Sequence, residues 1–331
     1  MAKDIKVTLS IKKFIGSLGF GYPLIFAGKQ EAAVDYTECS TLEDVVTAGF
    51  AATTAVYKAA QLMLSQEDRP QKFAVCASTD TTVTALPAIK NKGWRQLVVV
   101  SSGESGESTT AEVAAWIETT SDKMYFAKTA TYADLSAFDY DRTVLFYYTG
   151  ETPACPEAAI VGATAGKTVG SFTYKNIVIK GVEPLELTDT VITAVHTAGC
   201  ITLVEKAGDR VLSEGITTGG EYIDIVDSKD FIISEMEYRM QKLLNNTNKV
   251  TFDNNGISML ESVCVTVLHE AFTNGIIAVN DDGTPNYSVN FASRADTSAT
   301  DRAKRTYNGG KFSFGLAGAI HYANITGEIE I

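Results

Sequence analysis

Histidine is scarce in this chain, with 3 residues among 331, and proline is little commoner at 7. The cysteines, Cys39, Cys76, Cys155, Cys200 and Cys264, are odd in number and far apart. Without a CxxC pair or a histidine at ligand spacing they exclude the common zinc ribbons and a paired disulfide framework, and they read as small buried hydrophobes in a reducing compartment. No run of about 18 apolar residues occurs, so no membrane-spanning helix is expected. The charged start, Met1 to Lys6, is unlike a secretory signal, which places the chain in the cytosol where it is made unless another device exports it. Positive charge is short as well: 28 Lys and Arg face 40 Asp and Glu, a net charge of −12. A surface of that sign does not wrap duplex DNA, whose binding rests on cationic side chains set against phosphates.

What is present suffices for a folded body. Hydrophobic residues make up 45% of the chain, too many for a disordered one, and the length corresponds to roughly two domains at about 150 residues each.

Residues 5–11 alternate without a fault, with Ile5, Val7, Leu9 and Ile11 on one face and Lys6, Thr8 and Ser10 on the other, the period-two pattern of a half-buried strand. The stretch holding Gly16, Gly19 and Gly21 then reads as a hinge. From residue 22 to about 205 strand-like and helical patterns take turns. Strands are expected at 24–27, 73–77, 96–100, 123–128 and 143–148, helices at 42–64, 85–91 and 111–119, and a last helix and strand over 188–205. Ser40 and Glu43 form the capping box expected to open the long helix. Such alternation predicts a mostly parallel sheet covered by helices. After Gly219 and Gly220 the pattern predicts a strand at 222–226, helices at 230–244 and 257–272, and strands at 287–291, 312–322 and 323–331.

Catalytic motifs fail one by one. The run Gly162-Ala163-Thr164-Ala165-Gly166-Lys167-Thr168 is one residue short of a phosphate loop, which needs four residues between its first glycine and Gly-Lys-Thr; it reads as a small-residue helix or turn. Leu24 stands where a dinucleotide fingerprint opened by Gly19 and Gly21 requires glycine or alanine. Ser105 lacks the second glycine of a nucleophile elbow and reads as part of an exposed loop. His196, His269 and His321 fall in different elements and read as packed or surface residues. No catalytic, cofactor-binding or metal-binding constellation emerges, so no enzyme activity and no cofactor are expected.

The terminal strands remain. Ordering an arm of about eight residues costs about 8–16 kcal/mol of backbone entropy, and burying its four aliphatic side chains returns about 6–12 kcal/mol. The two nearly cancel, so the arm needs a preformed sheet edge, either in its own subunit, as a pairing between the two termini, or in a neighbour. Donation to a neighbour builds a ring or a helix of subunits.

Several segments in order resemble the tail sheath proteins of contractile phages and injection machines, in particular a family of short sheath-like proteins. They are Gly170 to Asn176, Gly220 to Val226 with Asp230-Phe231-Ile232, Asn255-Gly256-Ile257, Asn274 to Ala278, Tyr287-Ser288-Val289, Asp301 to Arg305 and the closing stretch from Phe312, with Leu316 to His321. The resemblance covers about half the chain and implies a mixed α/β (α+β) protein. An outer α/β domain at 22–205 would be inserted into an inner, tube-facing domain made of residues 1–21 and 206–331. It implies a structural subunit that polymerises around a tail tube and contracts to drive that tube through a target envelope, with no nucleotide required. The implied partners are further copies of itself in stacked rings, the tail tube protein, and baseplate and tail terminator proteins, without nucleic acid or membrane insertion. The implied location is the tail of the virion, assembled in the bacterial host cytoplasm.

Carried over by position, Ile5, Val7, Leu9, Ile11, Phe312, Phe314, Leu316, Ile325, Ile329 and Ile331 become inter-subunit arm residues, with Gly16, Gly19 and Gly21 as hinge. The helix at 257–272 and the run Arg302, Lys304, Arg305 become candidates for tube contact, a solvated turn being an equally good reading of that run. Residues 1–21 carry four lysines against one aspartate, and 294–311 carry five basic against two acidic side chains, +3 each, leaving −18 elsewhere. The basic stretches are expected to meet acidic surfaces of neighbours or tube, weakly and with salt dependence. Two other readings stay open: a different tail component, tube-like or connector-like, and a flavodoxin-like α/β nucleotide-binding enzyme.

Overall fold

The structure, a computed structural model, describes residues 20–100, 105–133, 135, 138–323 and 325–326. The expected strand at 5–11, the hinge positions Gly16 and Gly19, and the arm residues Ile329 and Ile331 lie outside the described residues.

The first half is an α/β domain with the elements β1 (Tyr22–Ala27), β2 (Val34–Cys39), α1 (Leu42–Thr47), α2 (Ala55–Leu64), β3 (Phe73–Ala77), α3 (Thr82–Ile89), β4 (Trp94–Val99), α4 (Thr110–Glu118), β5 (Met124–Thr129), β6 (Thr143–Tyr147), α5 (Glu157–Thr164), α6 (Asp189–Thr197) and β7 (Cys200–Ile201). The strands form one sheet in the order β2-β3-β1-β4-β5-β6-β7, parallel throughout except for β2, which runs antiparallel to β3 at the edge. Both faces are covered, which is why the central strands are continuous apolar runs. Ile25 and Ala27 face a core shared with Val45, Met63 and Ile160 of α1, α2 and α5. Leu24 and Phe26 face the other side, with Leu86, Val113 and Val195 of α3, α4 and α6.

Two expectations change here. The helix expected at 42–64 is two helices, because Gly49 takes a left-handed backbone (φ +113) that ends the first, while the Thr54 hydroxyl accepts from Tyr57 N and caps the second. The capping box is Thr41 with Asp44, one register later than Ser40 with Glu43; Asp44 accepts from the backbone of both Ser40 and Thr41, and the shift turns Val45 into the core. The phosphate-loop-like run is the end of a small-residue helix, α5, packed against α2, and the turn that follows it. A Cβ at Gly162 would stand 2.3 Å from the Met63 carbonyl oxygen, so the glycine serves close packing. Strand β2 escapes the sequence pattern because Asp35, Thr37 and Glu38 put polar side chains on both of its faces at the sheet edge.

A hairpin, β8 (Leu203–Lys206) and β9 (Asp209–Leu212), follows, joined by Ala207 and Gly208, both with positive φ. Then come α7 (Ile223–Asn246), α8 (Asn254–Thr273), β10 (Tyr287–Phe291), α9 (Ala299–Lys304) and β11 (Gly310–Phe314). The strand expected at 222–226 is the start of α7, and Tyr222 is its N-cap. The pair Ile223 and Val226 is buried at helical spacing, and Asp227 and Asp230 continue that face. Phe231 and Ile232 of α7 and Cys264, Leu268 and Ala271 of α8 form a third core, over which Tyr287, Val289, Phe291 and Phe314 of the antiparallel β10–β11 pair lie. The strand expected at 312–322 ends at Phe314; beyond it Leu316 makes a single bridge to Ile277. The described part of 323–331 contains no strand.

Candidate assembly surface

The α/β domain and α7 meet at a buried ionic joint. Arg95, at the start of β4, reaches Asp230 Oδ2 (2.6 Å) with Nη1 and Asp227 Oδ1 (2.5 Å) with Nη2. Arg142, just before β6, grips both Asp230 oxygens (2.8 and 2.9 Å), and the Tyr174 hydroxyl donates to Asp227 Oδ2 (2.9 Å). The Arg95 and both aspartate side chains are almost wholly buried. Burial opposes the charge on each group. The paired charges outweigh it, holding the Arg95 guanidinium more firmly protonated and the Asp230 carboxyl below its ordinary value. Phe20 stacks over the Arg95 guanidinium at 4.4 Å and meets Phe231 edge-on. Gly21, with φ +93, lies where a Cβ would be 2.9 Å from Arg95 Cβ. Phe20 and Gly21 are therefore pressed onto this joint. Two carboxylates three residues apart on one helix face, bridged by arginines from adjoining strand ends, tie α7 to the starts of β4 and β6.

A second ionic pair anchors the C-terminal segment. Lys175 Nζ and Glu214 Oε2, both buried, are 2.8 Å apart. The Tyr322 hydroxyl donates to the same Glu214 oxygen (2.9 Å) while its ring lies 3.5 Å from Lys175 Nζ. His321 Nδ1 stands 3.4 Å from Glu214 Oε1, and its ring meets Tyr222 edge-on. Between this anchor and α7 lies a cavity of about 510 Å³, lined by Gly170, Tyr222, Asp224, Ile276, Leu316 and His321. Burial raises the Asp224 carboxyl there.

On either side of the anchor apolar side chains face water: Ile320 is 88% and Ile325 92% exposed, and Tyr322 remains 75% exposed despite its hydrogen bond. Phe312 (44%) and Leu316 (40%) continue this surface, whereas Phe314 packs on the subunit's own third core. Strands β10 and β11 pair only with each other among the described residues, so each presents an outer edge. The basic run divides: Arg302 donates to the Thr297 and Arg294 carbonyls, while Lys304 and Arg305 are exposed at the end of α9. The α8 helix buries Ile257, Cys264 and Leu268 and exposes Met259 and Val265.

Among the described residues no group of three or more His, Cys, Asp or Glu side chains is arranged to hold a metal ion, and no helix is long and apolar enough to cross a membrane. His196 Nε2 lies 2.8 Å from Ser213 Oγ, and all five cysteines are free thiols.

No protein-family model and no curated protein matches the chain. Solved structures do. A chain of the extracellular contractile injection system PVC sheath complex in its contracted state superposes with a TM-score of 0.69 at 12% identity, covering 99% of both chains. The sheath tail protein of Desulfitobacterium hafniense matches at 0.60 and 11% identity over 96% of this chain and 99% of its own. The chain has the tail-sheath fold. A chain from the anti-feeding prophage baseplate also shares it, with a TM-score of 0.71 and 15% identity over 100% of this chain and 97% of that one. The sheath fold thus spans this protein nearly end to end, where the ordered sequence segments cover about half of it.

Sequence reasoning missed both ionic clusters. A signal was present for the first: Arg95 interrupts the apolar run of β4, and charged side chains are almost never buried unless paired. Its partners, 132 and 135 residues away, are not readable from the chain.

Proposed function

We propose that this protein is the subunit of a contractile tail sheath, a structural and non-catalytic protein that polymerises around a tail tube and, by contracting, drives the tube through a target envelope. The observation that carries the reading is the uncovered apolar C-terminal segment from Phe312 to Ile325. Fully burying an isoleucine is worth about 1.5–3 kcal/mol, and Ile320 and Ile325 forgo nearly all of it in the isolated subunit. A neighbouring subunit that covers them supplies the missing burial, and the outer edges of β10 and β11 offer the ladder hydrogen bonds that a donated arm requires. A two-stranded sheet is marginal by itself, so added strands suit it.

In this reading the arm residues are Ile5, Val7, Leu9 and Ile11 at one end and Phe312, Leu316, Ile325, Ile329 and Ile331 at the other, with Gly16, Gly19 and Gly21 as hinge. Phe314 braces the receiving hairpin from within. Residues 22–205 form the outer domain, and residues 1–21 with 206–331 the inner one. The exposed faces of α8 and of Lys304 and Arg305 are offered to the tube. Baseplate and terminator proteins cap the cylinder, which is assembled in the host cytoplasm and carried on the tail of a phage or a related injection particle. Contraction is a change between two packings of the same rigid subunits, with the ionic joint keeping each subunit intact.

Electron microscopy of the purified chain tests this. Long hollow cylinders are expected, and deletion of residues 1–11 is expected to leave a folded subunit that no longer forms them. A small uniform oligomer that never polymerises, at any concentration or salt, overturns the reading.

A further inference from the structure

The sheet order β3-β1-β4-β5-β6 is that of flavodoxin-like doubly wound folds, in which ligands bind beyond the carboxyl ends of the strands where successive crossovers leave in opposite directions. Here that point lies between β1 and β4. The crossover after β1 carries α2 on one face and the one after β4 carries α4 on the other. The position is filled. Glu107, in the loop after β4, accepts from Thr82 N (2.8 Å) and Ser108 N (2.6 Å) through Oε1, and Ser108 Oγ accepts from Val83 N (3.0 Å). These groups open α3, whose own N-cap, Thr81, supplies no side-chain cap.

Two further observations mark the place as an anion cradle. Gly28, directly after β1, leaves room that a Cβ would take: that atom would stand 2.2 Å from Glu107 Oε2 and 2.6 Å from Thr82 Oγ1. Thr82 is fully buried, and among the described residues its hydroxyl, facing the same spot, has no hydrogen-bond partner, nor has Glu107 Oε2. Backbone donors at a helix start, a buried unpaired hydroxyl and a glycine floor are the parts from which oxyanion sites are built.

We propose that the topological switch point of the α/β domain is a small-oxyanion site that the chain occupies with its own Glu107 carboxylate, closing the domain to free carboxylate and phosphate ligands. The inference is independent of the sheath reading, since none of the residues it uses is an arm residue.

The test is chemical rescue of the full chain. The variant Glu107→Ala is expected to unfold at a lower temperature than the parent. Its midpoint should then rise saturably with sodium formate, relative to sodium chloride at equal ionic strength, whereas the parent's midpoint does not respond. Formate has three heavy atoms, so its affinity is capped at about the millimolar range and a titration to about 100 mM covers it. If Glu107→Ala does not fold in chloride, refolding in formate is expected to recover it, and failure to do so counts against the proposal. Equal midpoints in formate and chloride overturn it, as does saturable binding of inorganic phosphate by the unaltered chain, which would show the site to be open.

Discussion

Replacing Arg95 by methionine isolates the ionic joint. Methionine keeps much of the side-chain volume, so the change removes the guanidinium and leaves Asp227 with only the Tyr174 hydroxyl, while Asp230 keeps both hydrogen bonds from Arg142. Removing one member of a buried ion pair costs about 3–5 kcal/mol, because the remaining charge is left buried and uncompensated. Urea unfolding followed by the fluorescence of Trp94, buried beside the mutated residue, is the suitable assay; guanidinium is itself a salt and screens the interaction under study. Two controls sharpen the result. Adding Asp227→Asn to the variant removes the stranded charge and is expected to restore about 1–3 kcal/mol, a coupling that independent sites do not show. Lowering the pH below about 4 is expected to shrink the deficit. In the parent, the depressed Asp230 carboxyl contributes stability that is present above its unfolded value and lost as the pH falls through its folded value. A loss below about 1 kcal/mol that is indifferent to pH and to Asp227→Asn would refute the view that this cluster fixes α7 against the sheet.

Three further outcomes follow from individual sites. Burial without a partner for Oε2 pushes the Glu157 carboxyl up to about 8, so its contribution is fully present below the unfolded value near 4.5 and lost as the pH rises through 8. Glu157→Gln is therefore expected to flatten the pH dependence of stability and to gain a few kcal/mol at pH 9, read by urea midpoints of the two chains across that range. Gly162→Val drives a side chain into the Met63 carbonyl and is expected to cost at least about 1–3 kcal/mol, whereas Lys167→Ala, at the position of a phosphate-loop lysine, removes a part-exposed contact with Asp68 and costs less than about 1 kcal/mol; thermal melts separate the two. Exchanging Lys304 and Arg305 for glutamate is expected to leave the melting temperature within a few degrees while raising the protein concentration needed for cylinders at low salt. Sedimentation at two salt concentrations reads this, and no difference at either salt assigns the pair to a solvated turn.

Much of the α/β half was legible because its signals are local. The runs at β1 and β3 are apolar enough to be strands buried on both faces, and the threonines and glycines around α2 and α4 punctuate the chain. The errors fall where another interaction overrides the local pattern. The 222–226 segment alternates like a strand, yet it is helical because Asp227 and Asp230 must share a face to meet Arg95. The edge strand β2 is polar on both sides, so its identity comes from the ladder with β3 and not from its composition.

By itself the sequence determined an acidic protein without a workable phosphate loop or nucleophile elbow, an α/β region followed by a helical pair and strands, and apolar terminal segments that need a sheet edge to order. These follow from composition and periodicity, which every residue carries individually. Only the tertiary structure decided that Arg95, Arg142 and Tyr174 converge on one turn of α7, that Lys175 and Glu214 hold the root of the C-terminal segment, and that Glu107 fills the crevice of the sheet. Each joins side chains tens of residues or more apart, and charge pairing over that separation leaves no period in the chain; it exists only once the sheet has brought the strand ends together.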